Sequence, residues 1–416
     1  MPRRDGKRHA GDFARDRHAD RAGTRLAART RSGCSMHPLL HVPIGPVAPA
    51  APAGTAAAKP RVVEILDRRR WNEIVLALGD PDLRQSFEWG EARRDRHAAP
   101  VRCAVLQDGV PVAALAAVAW RPGGAPWSII DASRGLLPHD IGGGPCAHLV
   151  RALGAVARRH RAVLLRLSPG LAPDARGGLH DTLVANRFLA LPDESTIWNA
   201  PRLIMTLDLR PDEAALRRAM RQSTRLSLTR LQGHGGRVEH LTSEAGVVRL
   251  RALLAAGGRR RGVPVRSAAY FHALREQYLA RGEGRVILAV LGATDLAGLL
   301  AVRFGRRAHL LYSGTNLDVA ATRALRAGTA VHWELIRWAR AAGCDTLDWG
   351  GAITSGAPQA SEPGFGIYNF KRGFGCRLTQ LGGYYDLVFR PALYRAFRLL
   401  ERRWAPHLWR LRAHVG

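Results

Sequence analysis

The sequence predicts an α+β protein of two tandem units, each a mixed sheet flanked by helices, behind a disordered N-terminal tail. Three observations carry this. The order helix, hairpin, strand, helix, strand occurs twice along the chain. The apolar fraction of 46 % is ordinary for a globular protein and excludes wholesale disorder. No window holds the roughly 18 uninterrupted apolar residues that a membrane span requires: Val110–Trp120 is too short, and Val286–Val302 is broken by Asp295.

Residues 1–60 form the tail. The first 35 are rich in Arg, Asp and His without apolar periodicity, and the stretch that follows carries Pro38, Pro43, Pro46, Pro49 and Pro52. Neither composition supports a packed core, and the prolines break the helical apolar segment of a signal peptide. Met36 is read as the start of translation.

The first unit is assigned to 61–200. Trp71, Ile74, Val75 and Leu78 recur at helical spacing after Asp67, an N-cap type, and Gly79 ends the run. Val101–Gln107 and Val110–Trp120 flank Asp108-Gly109, a strong hairpin signal. A strand at Trp127–Asp131, a Gly142–Gly144 loop, a helix at Cys146–His160 and a strand at Ala162–Leu167 complete the unit. The second unit is assigned to 201–390. Leu203–Leu209 reads as a strand, and Pro211, Asp212 and Glu213 open a helix with acids where the helix dipole favours them. The repeated order follows: helix Ser267–Arg281, hairpin Arg285–Leu291 with Leu296–Phe304, strand Ala308–Tyr312, helix Thr322–Ala342, strand Thr346–Trp349. Residues 391–416 read as a basic amphipathic helix with Leu393, Tyr394, Phe397, Leu400, Trp404 and Leu408 on one face; it is expected to pack on the second unit, with a bilayer surface as the alternative.

The formal charge of +29 points to polyanionic company such as nucleic acid, nucleotide phosphates or an anionic membrane. Five scattered cysteines show no zinc-ligand or disulfide spacing, so no metal is expected and a reducing, cytoplasmic compartment is. Of 63 basic residues only Lys7, Lys59 and Lys371 are lysine. A chain that uses arginine for nearly every cation keeps lysine where a compact ammonium is needed. Lys7 and Lys59 fall in the tail, which singles out Lys371.

The second half carries Leu335-Ile336-Arg337-Trp338-Ala339, Gly343-Cys344, Leu347-Asp348-Trp349-Gly350-Gly351 and Phe370-Lys371-Arg372-Gly373-Phe374-Gly375. With Gln85–Gly90 and Met220–Arg225, these motifs resemble the FemABX aminoacyltransferases, which are built from two acyltransferase units of the GNAT superfamily, over residues 61–395. The resemblance implies transfer of an amino acid from aminoacyl-tRNA to an amine of a peptidoglycan precursor, a nucleotide- or lipid-linked molecule. It implies that Lys371 lies beside the aminoacyl end of the donor and that Phe370 walls the channel. Arg266 and Tyr270 match an Arg and a Tyr that bind the precursor diphosphate, Tyr312 another substrate-binding Tyr, and Arg93 a position where the family carries a phosphate-binding Lys. Arg134 stands where relatives have Arg-Gly-Pro, and Asp140 near an acidic residue that could act as a base. Asp348 sits at a strand end suited to a site or to capping a turn. No permanent cofactor is implied, and the donor's ribose hydroxyl can relay the proton. The family's coiled-coil tRNA arm is missing between Arg221 and Val238. A monomer, peripheral at the inner membrane face, is expected.

Two other readings compete. Acyl-CoA N-acyltransferases cradle a pyrophosphate on a Q/R-x-x-G-x-G/A loop before a helix. Leu325-Arg326-Ala327-Gly328-Thr329-Ala330 keeps Gly328 and Ala330, but Leu325 occupies the polar position and the segment lies inside an expected helix, so the loop is expected to be lost. Gly142–Gly144 could still hold phosphate, and the acceptor would then be a polysaccharide, lipid or small-molecule amine. The third reading is non-enzymatic binding of RNA or an anionic membrane.

Overall fold

The computed structural model describes residues 60–138, 141–170, 178–192, 201–262, 264–352, 358–362 and 364–401. Residues 1–59 of the tail, Asp140, Trp404 and Leu408 therefore lie outside the described residues, as does part of the loop before Gly366.

β1 (Arg61–Glu64) leads into α1 (Arg68–Ala77), capped as expected by Asp67, whose carboxylate accepts from the Arg70 N–H at 2.7 Å. α2 (Phe87–Ala92) is capped by Ser86; six residues are too few to show periodicity. β2 (Ala98–Gln107) and β3 (Val110–Trp120) meet at Asp108 and Gly109, with φ of 51° and 81°, the left-handed pair that a two-residue hairpin requires. β4 (Ser128–Ser133), α3 (Gly143–His160), β5 (Ala162–Ser168), α4 (Leu179–Ala185) and β6 (Phe188–Leu191) follow. α3 thus starts earlier than Cys146, with the Gly-rich loop as its cap and first turn.

β7 (Leu203–Asp208) is followed by the short helices α5 (Glu213–Ala219), α6 (Gln222–Arg225) and α7 (Arg230–Gly233), then β8 (Arg237–Leu241) and α8 (Glu244–Arg261). α9 (Ala268–Gln277), β9 (Gly284–Leu291), β10 (Thr294–Phe304), β11 (Arg307–Thr315), α10 (Ala320–Ala324), α11 (Ala327–Ala341) and β12 (Thr346–Gly351) repeat the order of the first unit. α12 (Phe365–Arg372), β13 (Arg377–Gln380) and β14 (Tyr384–Val388) close the sequence of elements.

Among the described residues two seven-stranded sheets result, β1-β2-β3-β4-β5-β14-β6 and β13-β7-β12-β11-β10-β9-β8. In each, the described pairing is antiparallel except for one central parallel pair, β4–β5 and β11–β12. The expected boundary at residue 390 does not hold for β14, which pairs Tyr385–Val388 with Leu164–Leu167 inside the first sheet. The reason is a buried charge: Arg166 on β5 forms paired 2.8 Å bonds to Asp386 on β14, and the carboxylate of Glu401 also meets it.

Residues 391–401 are helical and pack on the first unit, not the second. Phe397 joins Ile129, Val163 and Leu164, and its ring meets Trp127 edge-on at 6.5 Å. The buried face is Phe397, Arg398 and Glu401, chosen by the Arg166 charge, whereas Leu393 and Leu400 of the expected apolar face are exposed. No helix among the described residues is long and apolar enough to cross a membrane.

Trp71, Ile74 and Val75 of α1 share one core with Val247 and Leu250 of α8 and Phe271 and Leu274 of α9, so the two units bury apolar surface against each other. Across the same interface Ser86 and the Tyr278 hydroxyl lie 2.8 Å apart. α11 covers the opposite face of the second sheet through Val331, Leu335, Ile336 and Ala339.

Candidate active site

The central parallel pair behaves differently in the two sheets. β4 and β5 stay paired from Ser128–Ala162 to Ser133–Ser168, after which the Arg134 N–H still reaches the Ser168 carbonyl at 2.7 Å. β11 and β12 pair only from Arg307–Thr346 to His309–Asp348 and then part. Asp348 makes the parting. Its Oδ1 accepts from the Gly350 N–H at 2.7 Å, Gly350 takes φ of 69°, and the register of β12 against β7 shifts before Gly351. A side-chain turn thus competes with the ladder.

A splayed strand leaves carbonyls without a partner strand, and buried carbonyls need donors. Lys371, near the end of α12, supplies them. Its Nζ donates to the carbonyls of Trp349 at 2.6 Å, Gly351 at 2.9 Å and Gly350 at 3.3 Å. An ammonium carries three hydrogens, so all three are engaged. Burial lowers its pKa to about 8, with Cys376 and Asp348 opposing the shift. An arginine fork could not serve three carbonyls grouped on one turn, which accounts for a lysine in this arginine-rich chain.

The wedge holds a cavity of about 560 Å³, walled on one side by Leu310–Thr315 of β11 and on the other by Trp349, Gly350, Gly351, Phe370 and Lys371. Tyr312 and Gly328 also line it. Phe370 is half-buried and meets His332 and Phe374 at 5.0 and 5.3 Å, so it is both cavity wall and core. The segment Leu325–Ala330 is not interior to a helix as expected. Arg326 has φ of 54°, which breaks the chain into α10 and α11 and leaves Gly328 in the first turn of α11, against the cavity.

A smaller cavity of about 130 Å³ brings Arg93 and Asp131 of the first unit together with Arg266, Ser267 and Tyr270 of the second. The Arg266 guanidinium lies over the Tyr270 ring at 5.3 Å, and Ser267 caps α9. Tyr270 in turn meets Tyr312 edge-on at 6.3 Å, which joins the two cavities through one aromatic pair. Burial and the Tyr270 hydroxyl push the Tyr312 phenol well above its usual range, so it stays protonated.

Arg134 and Asp348 are not on either cavity wall. They belong to a buried network between the units with Asp82, Arg84 and His309. Burial would raise the Asp82 carboxyl, but Arg84 at 2.8 Å, then His309 and Arg134, hold it well below the usual range. Burial lowers Arg134 to about 10, and its guanidinium donates to the Pro201 carbonyl. Asp82, His309 and Asp348 offer ligand atoms within 4.8 Å of one another, but the oxygens already serve Arg84 and Gly350 among guanidiniums, a poor donor set for a cation.

Sequence reasoning missed His332, which lines the larger cavity beside Lys371. The available signal was a histidine within the apolar run of α11, four positions after Gly328.

Residues 215–372 match the family model described as an acetyltransferase (GNAT) domain. Lipid II:glycine glycyltransferases of Staphylococcus haemolyticus and Staphylococcus epidermidis are each 28 % identical over 108 residues, 26 % of this chain and 25 % of theirs. The match spans about a quarter of the length of these curated relatives. The crystal structure of FemX aligns with a TM-score of 0.73 at 17 % identity, over 81 % of this chain and 100 % of that one. The fold and the wedge define a tandem acyltransferase architecture with a GNAT domain in its second half. More narrowly, the fold is like that of FemX over most of the chain.

Proposed function

We propose that the protein is an N-acyltransferase that moves an aminoacyl group from aminoacyl-tRNA to an amine of a nucleotide- or lipid-linked cell-envelope precursor. The observation that carries this reading is the pair of cavities joined at Tyr270 and Tyr312. A basic recess with Arg93 and Arg266 suits a diphosphate, and the wedge beside it suits an acyl chain end. The likeness of a 108-residue stretch to lipid II:glycine glycyltransferases supports the precursor class.

In this reading the acceptor nitrogen attacks the ester carbonyl of the donor, negative charge gathers on the carbonyl oxygen, and the ribose oxygen leaves as a hydroxyl. The proton lost by the amine reaches that oxygen, with the neighbouring ribose hydroxyl as relay. Lys371 acts mainly by position. Its hydrogens hold the wedge open, and its buried positive charge favours the developing oxyanion through the low-dielectric site. Tyr312, neutral, lines the wedge where the two substrates meet. No permanent cofactor is invoked. The protein would act as a monomer in the cytoplasm, at the inner face of the membrane when the acceptor is lipid-linked.

One observation favours a second reading, transfer from acyl-CoA: the first turn of α11, with Gly328, faces the wedge, and free helix N–H groups suit a pyrophosphate. Purified protein is given precursor amines with either charged tRNA or CoA thioesters, with and without RNase. We expect transfer from charged tRNA that RNase abolishes. Transfer that survives RNase and requires a CoA thioester overturns the tRNA reading in favour of the second.

A further inference from the structure

His332 sits in the wall of the wedge with a tautomer fixed by its surroundings. Its Nδ1 lies 2.7 Å from the Gly328 carbonyl, an acceptor, so Nδ1 must carry the hydrogen. The other nitrogen, Nε2, is then an acceptor, and it has no hydrogen-bond partner among the described residues. The ring cannot swing away to find one. It stacks on Trp349 at 5.1 Å and 27°, and Phe370 closes on it at 5.0 Å and 79°. Burial lowers the imidazole pKa to about 4, with the Lys371 charge adding to the effect, so the ring stays neutral in the working range.

Neither of the nearest polar groups serves it: the Trp349 Nε1–H, in the stacked ring, is itself without a hydrogen-bond partner among the described residues. The hydrogens of Lys371 all go to the carbonyls of Trp349, Gly350 and Gly351. The wedge therefore presents a fixed neutral acceptor between Trp349 and Phe370, in a cavity that Arg260, Tyr312, Ser313 and Thr315 also line. A buried acceptor is costly when its ligand brings no donor and favourable when the ligand brings one.

We propose that His332 Nε2 accepts a hydrogen bond from the amino group of the transferred acyl unit, making His332 the residue that selects an aminoacyl group over a simple acyl group of the same length. The proposal rests on the aminoacyl-transfer reading above and adds the contact that reads the amino group. Both the amine and its ammonium form carry N–H donors, so selection does not depend on which is bound.

The test compares glycyl with acetyl, which differ by that amino group, on tRNA and on CoA. For the wild type we expect kcat/KM to favour glycyl about tenfold or more on whichever carrier is used. His332→Phe keeps the stack on Trp349 and removes the acceptor, and it should bring the ratio close to one. His332→Gln can return an amide oxygen near the Nε2 position, and it should recover part of the preference. Thermal melts of both variants check folding. An unchanged glycyl-to-acetyl ratio in a folded His332→Phe protein overturns the proposal while leaving aminoacyl transfer standing. Transfer from CoA alone overturns the tRNA reading, and the same ratio on CoA still decides the role of His332. Should neither carrier support transfer, ¹⁵N-labelled wild type titrated with glycine methyl ester and with methyl acetate decides it. A His332 Nε2 resonance moved by the amino ester alone supports the contact, and one left in place by both overturns it.

Discussion

The Lys371 ammonium donates to the Trp349 carbonyl at 2.6 Å, joining the last turn of α12 to the end of β12. With Gly350 and Gly351 beside it, the lysine replaces the strand that β11 would have been had the pair stayed zipped. Lys371→Met leaves three inward carbonyls without that donor. We expect a loss of about 2–4 kcal/mol in unfolding free energy, since each buried unsatisfied group costs about 1–3 kcal/mol and the turn can relax in part. Turnover should fall by about 10²-fold or more, as expected when a group facing developing charge is removed. Denaturant melts and single-turnover transfer check the two effects separately. A variant of wild-type stability would show that the carbonyls do not depend on the lysine.

A pH dependence follows from the same contact. Burial lowers the ammonium to about 8, while in the unfolded chain it keeps its ordinary value of 10.5. Below about 8 the group is charged in both states. Between those values the unfolded chain binds more protons, so this group makes folding stability rise with pH. The neutral amine, however, has two hydrogens for three carbonyls and no charge for an oxyanion. Turnover should therefore drop about tenfold per pH unit above that midpoint with no accompanying unfolding. A pH–rate profile run beside circular dichroism checks it.

The two-unit α+β plan was legible because it is written in local patterns. Asp67 followed by Trp71, Ile74 and Val75, or Asp108-Gly109 between apolar runs, needs no distant partner to be read. α8 was not legible, because Gly257, Gly258 and its arginines dilute the Val247, Leu250 and Leu254 stripe. β14 and the helix after it were misplaced because their partner, Arg166, lies 220 and 235 residues away from Asp386 and Glu401. In the site, the rarity of lysine located Lys371, but its three carbonyls exist only once Asp348 has turned β12. Arg93 and Arg266 meet through tertiary packing that no spacing records.

Arg166 makes the end of the chain part of the first sheet. Asp386 and Glu401 are both fully buried, and each meets the same guanidinium. Arg166→Met leaves buried Asp386 to the Tyr394 hydroxyl and buried Glu401 to Arg398, and we expect about 3–5 kcal/mol of destabilisation. Replacing Arg166, Asp386, Glu401 and its second partner Arg398 together with apolar residues of similar volume should restore most of it, because desolvating such charges offsets much of their attraction. Denaturant midpoints of the single and quadruple variants check this, and a single variant as stable as wild type would remove the charge from the account of β14.

Arg93 and Arg266 come from different units yet line one recess, and both guanidiniums act on the Tyr312 phenol. If they grip one diphosphate, each loss should weaken acceptor binding before it touches chemistry. Arg93→Ala and Arg266→Ala should each raise the acceptor KM by about tenfold, a charge-assisted bond contributing about 1.5–3 kcal/mol less what the other arginine still supplies. The maximal rate should stay within about threefold, since binding shared by ground and transition states does not alter it. The KM of the donor should not move. In the double variant the two penalties should fail to multiply, with a coupling of about 0.5–2 kcal/mol, as found for residues that share a partner. Steady-state kinetics on all four proteins checks it. Strictly multiplicative effects would mean that the two arginines hold separate groups, and a loss confined to kcat would move them from acceptor binding to the transition state.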